Sequence, residues 1–267
     1  MVQNVRLPKI RREALLSLTR IFEGRASCNE MNRYIPNQHG AWAMLILPFL
    51  LGLAVTGGHP IHIPLFIGWL CIYLFSFPVL QWIKTGKRDR YVKPALLYGA
   101  LLLPILGLLI WYDPALIGYG VVLLLFFLPN IYFAKTKNER ALVNDILAIA
   151  VFCSFIYPVV YVGGGSDWWA TTQLFALMVV YFIGTALYVK TVIREKNNPK
   201  YYLASVIYHF IYVGIATSIN IYLIIPTIVL LLRAAMLPKL GIKAKQSGIA
   251  EIGFSLMLYV SVLVFFF

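Results

Sequence analysis

The amino-acid sequence predicts an all-α membrane protein, a polytopic helix bundle with about nine transmembrane helices. Hydrophobic residues make up 61% of the 267 residues and charged residues only 12%, which excludes a soluble globular domain. The apolar residues are collected into runs of about 20 residues, the length that a helix needs to cross a bilayer. Strands of a membrane barrel are about half as long, so the runs indicate helices.

Nine apolar runs follow one another, and the connections between them are too short for a soluble domain. Several runs contain an interior proline, which membrane helices tolerate when neighbouring groups bond the freed carbonyls. These prolines are Pro48, Pro78, Pro104, Pro129, Pro158 and Pro226. The runs cover residues 41–56, 61–82, 95–111, 115–133, 143–162, 169–189, 201–218, 221–237 and 249–267.

All 23 Lys and Arg residues can be placed on one side of the membrane. They precede the first run or are assigned to the even-numbered connections, Arg233 at the end of the eighth run included, and the odd-numbered connections contain none. The positive-inside rule then puts the N-terminus in the cytoplasm and the C-terminus, Phe267, outside. The same bias accounts for the net charge of +13, so the charge predicts no nucleic-acid partner.

Two segments are predicted. Residues 34–267 form the nine-helix membrane domain, and residues 1–33 form a basic cytoplasmic segment. Apolar residues between Leu7 and Phe22 fall near one helical face, with basic residues around the others. This pattern is typical of a helix lying on the membrane surface, and the alternative is a disordered basic tail.

Three cytoplasmic connections are more polar than topology requires: residues 81–94, 135–145 and 188–198. Helical spacing of i, i+4 would bring three pairs of side chains together, each pair on one helical face: Lys84 with Arg88, Arg140 with Asn144, and Lys190 with Arg194. Arg can bind a phosphate or carboxylate through two N–H groups. The alternative is that these charges only set topology and contact anionic lipid head groups. The candidate ligand-binding residues, including a histidine at the entry of the first run, are His39, Lys84, Arg88, Asp89, Lys135, Arg140, Asn144, Asp145, Lys190 and Arg194.

The sequence predicts no metal site and no cofactor. Cys28, Cys71 and Cys153 are scattered and form no CxxC motif, so neither a disulfide framework nor a zinc site is indicated. His59 and His62 lack further ligands in their outer loop. His209 lies inside the seventh run, but no second histidine faces it to complete a haem site.

Two strings carry a resemblance to a known family. The strings Tyr34-Ile35-Pro36-Asn37-Gln38-His39-Gly40-Ala41-Trp42-Ala43-Met44 and Asn138-Glu139-Arg140-Ala141-Leu142-Val143-Asn144-Asp145 resemble the YwiC-like family of bacterial integral membrane proteins. The resemblance covers most of the chain, from about Arg33 to the end. It implies a location in the bacterial inner membrane.

A more distant resemblance is to the UbiA-type intramembrane prenyltransferase superfamily. It rests on the stretches from Arg90 to Gly99 and from Tyr132 to Lys137. It implies a UbiA-like arrangement of nine helices, with a cytoplasm-facing pocket around the second and sixth connections. Of the aspartates that hold Mg²⁺ and a prenyl diphosphate in that superfamily, the first motif here keeps only Asp89, and the second region has Glu195 among basic residues.

Loss of the Asp-rich motifs removes the carboxylates that Mg²⁺ requires and leaves basic residues that can hold an anion directly. We therefore expect the protein to bind an amphipathic or isoprenoid-type anionic lipid, or a quinone-like ligand, in that pocket. It would be either a metal-independent transferase or a non-catalytic relative. The alternative class is a small-molecule permease or an accessory subunit of a membrane complex. Neither a protein partner nor catalytic residues are predicted.

Overall fold

The computed structural model describes residues 34–36, 39–242 and 244–267, without the side chains of His39 and Lys245. The predicted segment 1–33, including the amphipathic stretch from Leu7 to Phe22, lies outside these residues. Within them the chain is helical and contains no strand, which confirms the predicted all-α class. The helices are α1 His39–Thr56, α2 His62–Thr85, α3 Arg88–Tyr112, α4 Leu116–Lys135, α5 Leu142–Ser154, α6 Ile156–Val162, α7 Trp168–Ile193, α8 Pro199–Ile219, α9 Ile224–Met236 and α10 Ala244–Phe266.

Eight helical segments of the described residues are long and apolar enough to cross a membrane. They match the second to ninth predicted runs, and the fifth segment combines α5 and α6 as Leu142–Val162. The first predicted run corresponds to a shorter apolar helix, Gly40–Thr56, whose 17 residues are at the lower limit of about 17 for a membrane span. The polytopic helix bundle is therefore confirmed.

Successive spans run in alternating directions, so the connections meet at two ends of the bundle. At one end Lys84 pairs with Glu139. This end, which we call the basic end, carries the described Lys and Arg residues from Lys84 to Lys239 apart from Arg233, which is buried within α9. At the opposite end the Tyr161 hydroxyl donates to Asp113 at 2.9 Å. That the basic end faces the cytoplasm stays a prediction.

The fifth span is broken in the middle, where a single helix was predicted. α5 ends at Ser154 and α6 begins at Ile156. Pro158 causes the break, because a proline has no N–H to bond the carbonyl four residues earlier and its ring collides with that carbonyl. The carbonyl in question belongs to Ser154, the last residue of α5.

Helix α1 lies in the middle of the bundle and joins its two halves. It packs against α2, α5 and α6 on one side and against α7 and α10 on the other. Its close approach to α6 depends on Gly52, since a Cβ atom there would lie 2.6 Å from Cγ1 of the fully buried Val159. The first half, α2 to α6, contains the cavity described next.

Candidate functional site

An apolar cavity of about 570 Å³ lies between α2, α3, α4 and α5. Its volume falls within the range of roughly 300–1,000 Å³ that is typical of small-molecule sites. Aliphatic and aromatic side chains from all four helices form most of the wall. They include Ile72, Phe77, Leu102, Leu123, Phe127 and Phe152.

Polar side chains line the cavity where it reaches the basic end. Lys84 comes from the last turn of α2, Glu139 from the connection between α4 and α5, and Asn144 and Asp145 from the first turn of α5. An acidic residue in a first turn is favourable because it faces the positive end of the helix dipole. The cavity is therefore apolar along its length and charged at one end.

Two ion pairs close this charged end. The Lys84 ammonium donates to the Glu139 carboxylate. The Lys190 ammonium lies 2.6 Å from Asp145 Oδ2 and also donates to the Arg140 carbonyl at 3.0 Å. Partial burial acts to raise the pKa of Glu139, but the hydrogen bond from Lys84 and the nearby positive charges outweigh it and lower that pKa below its usual value.

Buried polar atoms without a hydrogen-bond partner lie at two depths along the cavity wall. Glu139 Oε2 and Asn144 Oδ1 are unpaired at the charged end, and Trp69 Nε1 and the Tyr73 hydroxyl are unpaired deeper in the bundle. Tyr73 precedes Lys84 by eleven residues on α2, which corresponds to about 16 Å along a helix. Since buried polar groups are normally paired, both depths can bond a bound molecule or water.

The structure brings some of the predicted site residues together and leaves others apart. Lys84, Asn144 and Asp145 line the cavity, Lys190 reaches it through Asp145, and Arg194 acts electrostatically on Asp145. The side chain of His39 lies outside the described residues. The others are exposed and do not line the cavity: Arg88, Asp89, Lys135 and Arg140.

Two of the predicted helical faces do not form. α2 ends at Thr85, and Gly86 follows in the left-handed conformation with φ of 69°, so Lys84 and Arg88 lie on different helices. Arg140 precedes the first residue of α5, so it does not share a helix with Asn144. Only the third pair continues as predicted, since the Arg194 N–H bonds the Lys190 carbonyl at 2.9 Å.

Two histidines, His62 and His209, use their ring nitrogens in hydrogen bonds within the protein. His62 accepts a hydrogen bond from the His59 N–H at 2.9 Å, and its Nε2 lies 3.0 Å from the Val159 carbonyl. His209 bonds the Ser205 carbonyl and Arg233. Among the described residues, no group of three or more His, Cys, Asp or Glu side chains could hold a metal ion.

Sequence reasoning missed Trp69, Tyr73 and Glu139 at this cavity. Trp69 and Tyr73 are spaced i, i+4 on α2, so they lie on one helical face, and that spacing was the available signal. It also missed a second polar group in the other half of the bundle, formed by Arg233 and Glu251. Arg233 had been assigned to a connection, whereas it lies within α9 and is only 2% exposed.

Comparison with known proteins identifies the family. Residues 35–161 match the family model described as YwiC-like protein. The chain is 44% identical over 183 residues to YwiC of Bacillus subtilis (strain 168), described as uncharacterized, which covers 68% of this chain and 76% of that protein. The chain belongs to the YwiC-like family.

A second relative is a protein of Haemophilus influenzae (strain ATCC 51907 / DSM 11121 / KW20 / Rd), also described as uncharacterized. It is 31% identical over 245 residues, 88% of this chain and 99% of that protein. No solved structure matches the chain, so the UbiA-like arrangement stays a prediction. All residues that line the cavity, from Pro36 to Phe152, lie within the segment that matches the family model.

Proposed function

We propose that this YwiC-like membrane protein binds an amphipathic, lipid-like molecule in the cavity between α2 and α5. The observation that carries the proposal is the combination of a long apolar wall with one charged end. An apolar chain would lie against the wall, and a polar head group would lie beside Lys84 and Asn144. By the positive-inside rule we expect this end to face the cytoplasm.

The charge around the mouth favours an anionic head group. Basic residues outnumber acidic ones at this end. Glu139 pairs with Lys84 and Asp145 with Lys190, and further positive charge comes from Lys135, Arg140 and Arg194. A surplus of one charge at a cleft attracts ligands of the opposite charge. The paired lysines are held in place by their acidic partners, while Arg140 and Arg194 are exposed and form no ion pair among the described residues.

The unpaired acceptors at the mouth restrict the head group further. Glu139 Oε2 and Asn144 Oδ1 each lack a donor. A head group that carries a hydroxyl beside its anionic group would supply one. Glycerol and sugar phosphates have this combination, and so does an acidic head group with a free hydroxyl.

Native mass spectrometry of the purified protein tests this function. A lipid-like molecule should remain bound at about one per chain, and Ala148→Phe should remove it, because Ala148 lines the cavity and a phenyl ring would fill it. Ala100→Phe is the matched control, since Ala100 is exposed on the outside of α3. An empty wild-type protein, or equal retention in both variants, would contradict the proposal and favour a permease or an accessory subunit.

Two lysine variants test whether the mouth of the cavity binds an anionic head group. Lys84→Met removes a cation at the mouth and leaves Glu139 without its partner, so retention of the anionic molecule should fall. Lys135→Met removes a charge from the same end, but its side chain is exposed and does not line the cavity, so retention should hold. Equal loss in both variants would mean that general surface charge, and not the mouth, attracts the ligand.

A further inference from the structure

A second polar cluster lies in the other half of the bundle, within the membrane-spanning helices α7 to α10. Arg233 is 2% exposed, Glu251 3% and His209 1%. Ionisable side chains inside a membrane are costly, and they usually mark a functional site. None of the three lines the cavity between α2 and α5, so the proposed ligand site does not account for them.

The hydrogen bonds of the cluster fix the state of the histidine. Arg233 Nη1 lies 2.5 Å from Glu251 Oε2, and Nη2 lies 3.0 Å from His209 Nε2. An arginine only donates, so His209 Nε2 must be the acceptor. The proton of His209 is then on Nδ1, which donates to the Ser205 carbonyl at 2.8 Å. His209 is thus neutral, and both of its nitrogens are occupied.

Glu251 is different, because one of its oxygens is open. Oε1 makes no hydrogen bond of normal length, although Thr185 of α7 lies near enough to interact with this carboxylate. Each ionisable group that faces Glu251 is accounted for: Arg233 comes from α9, and Tyr181 and Tyr188 come from α7. The remaining neighbours of α10 are α1, which has no ionisable residue from Gly40 to Thr56, and the short 3-10 turn after α8, whose tyrosine lies at the opposite end.

Several other polar atoms around this carboxylate are also buried and unpaired. A dry interior would leave them all unsatisfied, whereas a few internal water molecules would satisfy them, as is usual for buried polar groups. Their three- and four-residue spacing puts them on one face of each helix, and the faces of α7 and α10 meet where Tyr188 lies near Ser247 and Thr185 lies near Glu251. Besides Glu251 Oε1, the buried atoms without a hydrogen bond of normal length are Thr185 Oγ1, Tyr188 Oη, Ser205 Oγ, Tyr212 Oη, Arg233 Nε and Ser247 Oγ. Of these side chains, Thr185 lies near Glu251 and Tyr188 lies near Ser247.

We propose that this cluster is a hydrated proton-binding site, in which Glu251 Oε1 takes up and releases a proton through the basic end of the bundle. A hydronium ion gives its proton to Oε1 and remains as water, and the cluster changes from neutral to a charge of +1. The Arg233–Glu251 ion pair becomes a hydrogen bond between a cation and a neutral acid. Arg233 keeps its bond to His209 and its position over the Tyr188 ring, 4.6 Å from the ring centre.

A short route leads from the surface to this site. A pocket of about 440 Å³ opens at the basic end and is lined by Thr191 and Tyr202, among others. Thr191 is three residues from Tyr188 on α7, and Tyr202 is three residues from Ser205 on α8. The pocket floor is therefore about one helical turn, roughly 5 Å, from the polar faces of α7 and α8. Protons would reach the cluster from this pocket.

Infrared difference spectroscopy of the full chain in lipid nanodiscs tests the proposal. Labelling all glutamates with ¹³C at the side-chain carboxyl separates them from aspartates. Lowering the pH should produce a ¹³C-carboxylic-acid band that is lost in Glu251→Gln and kept in Glu139→Gln, a control outside the cluster. The band should also shift on transfer to D₂O, because the proton exchanges with solvent.

A conservative variant covers the case in which Glu251→Gln does not fold. Tyr188→Phe removes one hydroxyl of the proposed water-filled space and keeps the ring beneath Arg233. It should slow the D₂O shift of the band, or move the pH at which the band is half-formed. Absence of any Glu251-dependent band, a band that stays constant at every pH at which the protein remains folded, or a band indifferent to D₂O would overturn the proposal.

Discussion

Replacing Arg233 with methionine should destabilise the protein strongly, although methionine is apolar and of similar length. The side chains of Arg233 and Glu251 are 0% and 4% exposed, so the substitution leaves a carboxylate buried in the membrane interior without its cation. Removing one partner of a buried ion pair costs about 3–5 kcal/mol. The loss of the bond to His209 and of the contact with the Tyr188 ring adds to this cost.

Replacing both partners distinguishes the destabilisation caused by the unpaired charge from that caused by altered packing. Arg233→Met with Glu251→Leu leaves no buried charge, and a buried pair replaced by apolar residues of similar volume is often close to neutral in stability. We therefore expect the double variant to be more stable than Arg233→Met alone, by roughly 2 kcal/mol or more. Reversible unfolding by SDS in mixed micelles, followed by circular dichroism, measures both. A single variant as stable as the wild type, or strictly additive effects, would refute the assigned pairing.

Two further predictions concern packing and topology. Gly52→Ala should destabilise the protein by about 1–3 kcal/mol, because the added Cβ would lie 2.6 Å from Val159 Cγ1 and overpacking a core causes strain of this size. The control Gly118→Ala, with no atom within 4 Å of its Cβ position, should be neutral or slightly stabilising in the same unfolding assay. The reverse order of stability would contradict the α1–α6 contact. A reporter that is active only in the periplasm should be active after Phe267 and inactive after Lys93, and the opposite pattern would invert the orientation of the cavity.

The span boundaries could be predicted because each depends on local features of the chain. Apolar runs long enough to cross a membrane predicted the helices, and the turns at both ends of the bundle were predicted between these runs. Pro158 was recognised as an interior proline, but membrane helices often accommodate proline. Whether the helix breaks at Phe155 therefore depends on whether neighbouring groups bond the carbonyl that Pro158 leaves free, and the sequence does not show this.

The candidate site could be predicted only in part, because its contacts join distant positions. The pair of Lys84 and Glu139 spans 55 residues, and the pair of Lys190 and Asp145 joins α7 to α5. In a helix that is apolar on every face, the hydrophobic pattern does not show which face meets which neighbour. The polar connections contain Lys84 and Asp145, which line the cavity, but the sequence does not distinguish them from exposed neighbours such as Lys135.

The buried cluster illustrates a signal that was present and not used. Ser247, Glu251 and Ser255 are spaced every four residues along α10, which places them on one face. Arg233 lies one turn before the end of α9. This position is compatible both with a charge at the membrane surface and with a buried partner of an acidic residue, and the positive-inside pattern favoured the first. A polar stripe on one apolar helix, opposite a basic residue on the next, would have predicted the pair.

The most direct test of the ligand-binding cavity is to map where a photoreactive anionic lipid attaches to the protein in membranes. Crosslinks should form on cavity-lining residues such as Ile72, Phe77 and Phe152, and they should be lost in Ala148→Phe. Crosslinks confined to outward-facing residues such as Leu103 and Phe210, which are 71% and 70% exposed, with no effect of Ala148→Phe, would show that lipid only surrounds the bundle and would contradict binding in the cavity.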